Sequence, residues 1–522
     1  MILKEKSQND PDDYIIAQQA RIDRAAREIE KLEKESAIIE ALLPLAHPQA
    51  GYLAGEQLRR KIENGILELY FSATSQLIDI KNLVDRNIAT KLEAKLTFLS
   101  NQLRTVMADE LRLADVDGSG FRREIQLKNL SNLMQKRLIS LQNPRHCATA
   151  RKLQCYLNKG CGFGCQLHHV AYCLIFAYAT ERTLILEGNG QTWDYSSKGW
   201  TAAFLPVSDT CLDHGTEEAK FWSSLEESKN HPVISLPVID ELRNGPSFLP
   251  QSIPKDLAAD LLRLHGYPPA WFVGHFVDYL MRSSPQMKKM LSIAEKKVNF
   301  ANGPVVGLQV RRTDKIGSEA AFHAVEEYMV WADHWFALQS LKQGKQLRKR
   351  VFVATDEPAV ITEIKKSYKD YDVIANSNSA ILANLQDRYT ESSLFGVIAD
   401  IRLLSKCDYL VCTFSSQICR LAYELMQVRR GDAAASFHSL DDIYYFGGQQ
   451  AREQEAIFPH SPINEDEIEL QVGDIIVIAG NHWNGMSKGR NKRTNREGLY
   501  PSYKVKENWR IEKFPSYSNV KI

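Results

Sequence analysis

Between residues 303 and 430, short apolar runs alternate with segments of helical period, and this alternation constrains the fold more than any other feature. Segments 305–310, 350–355, 371–374 and 409–412 read as strands, and 319–342, 358–368, 391–404 and 415–427 read as helices. Strands separated by helices make a parallel sheet with crossover connections. Such a sheet binds ligands at the carboxyl ends of its strands. Neither G-x-G-x-x-G nor G-x-x-x-x-G-K-S/T stands at these turns, which argues against dehydrogenases and P-loop enzymes.

The polar residues gather where that rule places them. The strand 305–310 runs directly into Arg311-Arg312-Thr313-Asp314-Lys315. Two guanidiniums and an ammonium at a strand end suit a diphosphate, Arg by bidentate geometry and Lys as a point charge. The strand 350–355 ends at Asp356-Glu357-Pro358. Carboxylates there can accept hydrogen bonds from a base or ribose, or Asp356 can cap the next helix with Pro358 near its first turn. The strand 409–412 ends in Thr413-Phe414-Ser415-Ser416-Gln417 and opens a helix, whose free amides and serine hydroxyls make an anion site. A Ser-Ser pair alone is more often an ordinary cap. Its nearness to Arg311 and Arg312 raises the functional reading. Glu319 follows the basic run and is suited to take a proton from a sugar hydroxyl. Asp370-x-Asp372 precedes a strand and reads as a solvated turn, so Arg and Lys, and no metal, are expected to neutralise a leaving diphosphate.

Residues 12–45 carry a heptad seam, with Ile15, Ile22 and Ile29 in one row and Ala25, Leu32 and Ile39 in its companion. Helical periodicity resumes over 54–113, and a dimerising stalk is expected. Asp115–Gly120 begins like a calcium loop, but Gln126 stands where a bidentate Glu is needed, so it reads as a turn. Residues 145–300 are mixed, with helices near 164–179, 255–265 and 285–297, a strand over 183–187 and proline-bearing loops near 232–254. Residues 457–510 suggest a small antiparallel barrel resembling an SH3 domain. Its loop 488–496 carries Lys488, Arg490, Lys492, Arg493 and Arg496 and reads as solvated.

Lys+Arg 65 against Asp+Glu 64 leaves a net charge of +1, which excludes nucleic-acid binding by bulk charge. No apolar run approaches the ~18 residues of a membrane span, and as given the chain is expected to be soluble. Five of the nine cysteines lie between Cys147 and Cys173. Cys161, Cys165, His168, His169 and Cys173 could bind zinc, but their spacing lacks the paired ligands of a structural site, so disulfides are favoured. One glycosylation sequon occurs, at Asn129. Disulfides would place the chain in a secretory lumen, with an anchor expected to precede it.

"VRRTDKIGSEAAFHAVEEYM", "SLFGVIADIRLLSKCDYLVCTFSSQICRLAYELMQ", "FHSLDDIYYFGGQ" and "NKGCGFGCQLHHVAYC" resemble the eukaryotic alpha-1,6-fucosyltransferases that core-fucosylate N-glycans. The similarity runs from about residue 54 to the end. It implies an α/β, GT-B-like transferase with a Rossmann-type nucleotide-sugar domain, a helical coiled-coil stalk and an SH3-like β-barrel. The expected divisions are 1–113 (stalk), 114–302 (disulfide-rich acceptor side), 303–450 (GDP-fucose binding) and 451–522 (barrel and tail). The resemblance implies GDP-fucose as donor, an N-glycan as acceptor, inversion, and neither metal nor cofactor. It also implies a homodimer through the N-terminal helices, and a type II anchor in the Golgi membrane with the enzyme in the lumen.

Carried over by position, Arg311 and Arg312 bind the diphosphate, and Asp314 and Lys315 lie beside the donor. Glu319 is the catalytic base, with Lys315 as its relay partner. Tyr328, Asp356, Asp400, Ser416 and Gln417 contact or support the donor, and Lys159, Asp240 and His482 meet the acceptor. Gln309 stands where a phosphate-binding His is expected, and Glu357 stands where relatives have Asp. The implied disulfides are Cys147–Cys211, Cys155–Cys173, Cys161–Cys165 and Cys412–Cys419, leaving Cys407 free. Two rivals are a bacterial-type chitooligosaccharide 6-fucosyltransferase, which lacks the SH3-like tail, and a non-catalytic glycan-binding scaffold, which the intact polar set opposes.

Overall fold

A computed structural model describes residues 49–242, 245–313, 317, 321–383, 387–517 and 520. The chain divides into two compact units, Met1–Arg59 and Arg60–Ile522. The heptad seam expected over 12–45 lies outside the described residues, as do Asp314, Lys315 and Glu319.

Three long helices, Gln49–Leu83, Arg86–Val116 and Ser119–Gln142, precede the sheets. Asp85 caps the second, accepting from the amides of Asn87 and Ile88. Gly118, at φ 70°, turns the chain into the third, and Asp117 accepts the Ser119 amide at 2.7 Å. Asp115–Gly120 is thus the turn the missing twelfth ligand implied.

Two parallel sheets follow. The first holds β1 (Lys152–Cys155), β2 (Thr183–Leu186), β3 (Lys220–Phe221) and β4 (Val233–Ser235) in the order β2-β1-β4-β3. Its crossover helix, Phe163–Ala179, is buried over nearly its whole length, so its sequence is apolar all round. The short β5 (Ser252–Pro254) leads into helices Lys255–Leu264, Pro268–Leu280 and Pro285–Val298.

The second sheet holds β6 (Val306–Val310), β7 (Arg350–Thr355), β8 (Asp372–Ala375), β9 (Tyr409–Cys412) and β10 (Phe437–Ser439) in the order β10-β9-β6-β7-β8. Every pair is parallel. β6 and β7 are buried throughout, as strands covered by helices on both faces must be. The chain runs outward from β6 to β8, then returns to β9 on the other side of β6. The strand order therefore reverses between β6 and β9, the point at which such sheets take their ligands. Two parallel-sheet halves in one chain make the GT-B-like arrangement.

The last sheet is antiparallel: β11 (Glu453–Ala456), β12 (Ile475–Asn481), β13 (Met486–Asn491), β14 (Glu497–Pro501) and β15 (Val505–Asn508), in the order β14-β13-β12-β11-β15. Ala456, Ile468, Leu470, Ile476 and Tyr500 form its small core. Its basic loop is held by ion pairs, Lys492–Glu453 and Arg493–Asp474 both at 2.6 Å. Finally β16 (Arg510–Glu512) pairs with β5, tying the tail to the first half.

Four disulfides, Cys147–Cys211, Cys155–Cys173, Cys161–Cys165 and Cys412–Cys419, cross-link the described residues, and the free Cys407 is buried. The zinc alternative falls with them. Cys155, His169 and Cys173 do gather their ligand atoms, but both cysteines are spent on a disulfide.

Candidate active site

Parallel register brings three strand ends side by side. Val310 pairs with Thr355, and Leu308 with Val411. The residues that follow, Arg311-Arg312, Asp356-Glu357 and 413–417, therefore emerge together at the reversal point.

Asp356 organises the first of these turns. Its Oδ1 accepts the Arg312 amide at 2.9 Å. Its Oδ2 accepts the Thr313 amide at 3.1 Å, the Thr313 hydroxyl at 2.6 Å and Arg311 Nη1 at 2.8 Å. Asp356 does not cap the next helix: Glu357 holds the N-cap position of Pro358–Ser367, without a side-chain bond. The expectation of an Asp356 cap is therefore corrected, because the carboxylate is drawn to the denser donors of the β6 loop.

Arg312 lies with its Nη1 3.4 Å from Glu357 and 3.6 Å from Glu363, and its Nη2 donates to the His323 carbonyl at 3.0 Å. Its guanidinium covers the Phe322 ring at 4.5 Å. Its buried Nε has no acceptor among the described residues. Gln309, near the end of β6, is 4% exposed, and its Oε1 has no donor among them. A buried amide oxygen left unpaired is costly, so this atom is suited to a ligand donor. Tyr328 is buried on helix Val325–Gln343, and burial, reinforced by Asp441, pushes its phenol up. Asp400, on helix Glu391–Leu404, is pushed up to about 7 by burial, against the Ser379 hydroxyl that donates to its Oδ2. Its Oδ1 is also without a partner among the described residues.

The third turn differs from its sequence reading in one respect. The amides of Phe414 and Ser415 are not open to an anion. Asp441 accepts them at 2.7 and 3.3 Å, and Ser439 also accepts the first at 3.1 Å. What remains is the first turn of helix Gln417–Arg429, entered from Ser416, which makes no side-chain cap. The Cys412–Cys419 disulfide fastens the end of β9 to that turn.

Gln417 reaches across to the first half. Its Oε1 meets His168 Nδ1, His168 Nε2 lies 3.0 Å from both oxygens of Glu424, and the Tyr444 hydroxyl donates to Glu424 at 2.7 Å. Close helix approach permits this, since a Cβ on Gly164 would stand 2.6 Å from Gln417 Cβ. Asp441, His168, Glu424 and Tyr444 were not expected in a donor site. Asp441 stands in a quoted motif, but the short β10 that delivers it gave no signal.

Of the residues expected to meet an acceptor, Lys159 follows β1, and its carbonyl accepts Gln166 Nε2 at 2.8 Å. Gln166 Oε1 in turn accepts Trp193 Nε1 at 2.8 Å. A cleft of about 480 Å³, lined by Asn158, Trp193, Tyr195, Tyr389 and Glu391, opens beside this loop. Asp240 lies in the short 3-10 helix Ile239–Glu241, and His482 is exposed on the β12–β13 hairpin, where its amide donates to Met486 at 3.0 Å. No bond among the described residues joins His482 to the β6 and β9 turns.

Residues 2–445 match the family model described as the alpha-(1,6)-fucosyltransferase N- and catalytic domains, and residues 456–506 match a variant SH3 domain. The chain is 45% identical over 466 residues to an alpha-(1,6)-fucosyltransferase of Caenorhabditis elegans, covering 89% of this chain and 80% of that protein. It is 44% identical over 470 residues to one of Drosophila melanogaster, covering 89% and 75%. A solved structure of the NodZ alpha-1,6-fucosyltransferase soaked with GDP-fucose is similar at 16% identity, with a TM-score of 0.32, covering 52% of this chain and 92% of that one.

Proposed function

Because this chain belongs to the alpha-(1,6)-fucosyltransferase family, we propose that it transfers fucose from GDP-fucose to the 6-hydroxyl of the innermost Asn-linked GlcNAc of N-glycans. The observation that carries this reading is the convergence of Arg311 and Arg312 with the helix start at Ser416-Gln417, across the strand-order reversal. Two guanidiniums and a helix N-terminus together stabilise a departing diphosphate without a metal ion.

In this mechanism Glu319 removes the proton of the acceptor hydroxyl as its oxygen attacks fucose C1, and Lys315 relays that proton. The configuration inverts through an oxocarbenium-like transition state. Charge on the leaving GDP is met by Arg311, Arg312 and the first turn of Gln417–Arg429, with Asp314 and Tyr328 beside the donor. Asp400 Oδ1 and Gln309 Oε1, both buried, are available to nucleotide donors. Glu357 replaces an Asp with one more methylene and adjusts Arg312. Lys159, Asp240 and His482 receive the glycan.

The protein acts in the lumen of the Golgi. The disulfides support an oxidising compartment. A homodimer through the N-terminal helices is supported by Leu69, Ile78, Leu83 and Phe98, which are large, apolar and exposed. The four-part division at residues 113, 302 and 450 belongs to the same reading.

Glu319→Gln tests the chemistry. GDP-fucose binding should survive while kcat falls by about 10²-fold or more. An unchanged kcat would remove Glu319 as the base.

A further inference from the structure

Gln417 lies at the edge of the proposed donor site, yet half of its amide is committed elsewhere. Its carbonyl oxygen faces His168 Nδ1, and its Nε2 makes no hydrogen bond among the described residues. An amide held by its oxygen presents its NH2 in the opposite sense. The group is therefore turned as a donor, and a diphosphate oxygen needs a donor.

What holds it is buried. His168 is 3% exposed and Glu424 is 0% exposed. Both Glu424 oxygens lie 3.0 Å from His168 Nε2, and the Tyr444 hydroxyl donates to one of them at 2.7 Å. The Phe446 ring stands edge-on to the imidazole, centroids 5.0 Å apart. A carboxylate with no exposure needs a counter-charge, and the group against it is this imidazole. Gln417 Oε1 stands at its Nδ1 and both Glu424 oxygens stand at its Nε2, so the ring is clamped between the two ends of one helix face. Gln417 and Glu424 lie seven residues apart on one face of their helix, so one rigid element carries both ends of the chain. The close approach of Gly164 leaves Gln417 Cβ no room to move toward helix Phe163–Ala179.

We propose that His168, backed by Glu424 and Tyr444, is a positioning residue for donor binding: it fixes the Gln417 amide so that its NH2 faces the diphosphate of the nucleotide sugar. This rests on the donor reading of the site given above. His168 acts through Gln417 and touches no substrate, and the network joins the two halves of the molecule at the residue that meets the donor.

A double-mutant cycle on the full chain tests it, with GDP titrated by calorimetry and GDP-fucose kinetics measured alongside. His168→Ala should weaken GDP binding about tenfold or more, the range of a hydrogen bond to a charged group, and raise the KM for GDP-fucose while the acceptor KM stays. Gln417→Ala should do the same. In the Gln417→Ala background, His168→Ala should then change GDP affinity less than twofold, because both remove one interaction. His168→Asn, whose amide can still donate from the Nδ1 position, should restore most of the affinity.

Equal losses from His168→Ala in both backgrounds would overturn the proposal in favour of a purely structural contact. So would a folded His168→Ala protein with unaltered GDP affinity. If His168→Ala does not fold, Glu424→Gln and His168→Asn carry the test. Glu424→Gln with wild-type GDP affinity, or His168→Asn with the full loss shown by Gln417→Ala, would equally overturn it. Failure of the wild-type chain to bind GDP would instead sink the donor reading on which the proposal rests.

Discussion

Four donors converge on the Asp356 carboxylate: the Arg312 and Thr313 amides, the Thr313 hydroxyl and the Arg311 guanidinium. A hydrogen bond to a charged group is worth about 1.5–3 kcal/mol. Asp356→Ala should therefore lower folding stability by a few kcal/mol and abolish GDP binding. Asp356→Asn should fold and yet bind GDP at least tenfold more weakly, as read by calorimetry. Gln309 offers the opposite test, since an uncharged amide stands where a phosphate-binding His is expected. Gln309→His should tighten GDP binding severalfold, and a weaker affinity would contradict a phosphate-side role. Arg311 and Arg312 were legible in the sequence because a dibasic pair leaves a buried strand directly. Asp441, His168 and Glu424 were not legible as site residues, because they reach the site through contacts between distant segments that no local spacing encodes.

The helices of the two halves meet without side chains between them at two glycines. A Cβ on Gly274 would come within 2.3 Å of the Glu424 carbonyl, and one on Gly164 within 2.6 Å of Gln417 Cβ. Overpacking of this kind costs typically about 1–3 kcal/mol. Gly274→Ala should lower denaturant stability with GDP affinity nearly kept. Gly164→Ala should lower both, because it displaces the first residue of the donor-side helix. Equal GDP affinities in the two variants would contradict that distinction. Most strands and helices of the second sheet were readable from apolar period to within a few residues. The helix near 319–342 is observed only from Val325. β1 was missed because its four residues, Lys-Leu-Gln-Cys, alternate too briefly to signal a strand. Helix Pro268–Leu280 was not expected; it opens on two prolines, which suit a first turn.

Across the whole molecule, buried titratable groups set the pH range of stability. Burial pushes His265 down to about 4 and His275 and His334 down to about 3, and holds His438 well below its ordinary value. These rings are neutral in the fold and take a proton near 6.5 when unfolded. Their contribution is present above pH 6.5 and is lost as pH falls toward 3–4. Asp400 runs the other way: its carboxyl titrates at about 7 in the fold and at 3.8 ordinarily, so stability declines as pH rises through that window. Four histidines outweigh one carboxyl, so melting temperature should peak near pH 6.5 and fall on the acid side. Asp400→Asn should raise it at pH 8 and leave it unchanged at pH 4. The parallel-sheet architecture and the barrel were legible from period and turn residues. The two-halved arrangement followed from the family resemblance and not from period, because β1, β3 and β4 are too short to signal strands.

The most direct test of the account incubates the chain with GDP-fucose and an asparagine-linked, GlcNAc-terminated N-glycan in EDTA, and reads the product by tandem mass spectrometry. The innermost GlcNAc should gain one deoxyhexose. GDP-fucose bound but not transferred to that residue, or a deoxyhexose placed on any other sugar, would contradict it.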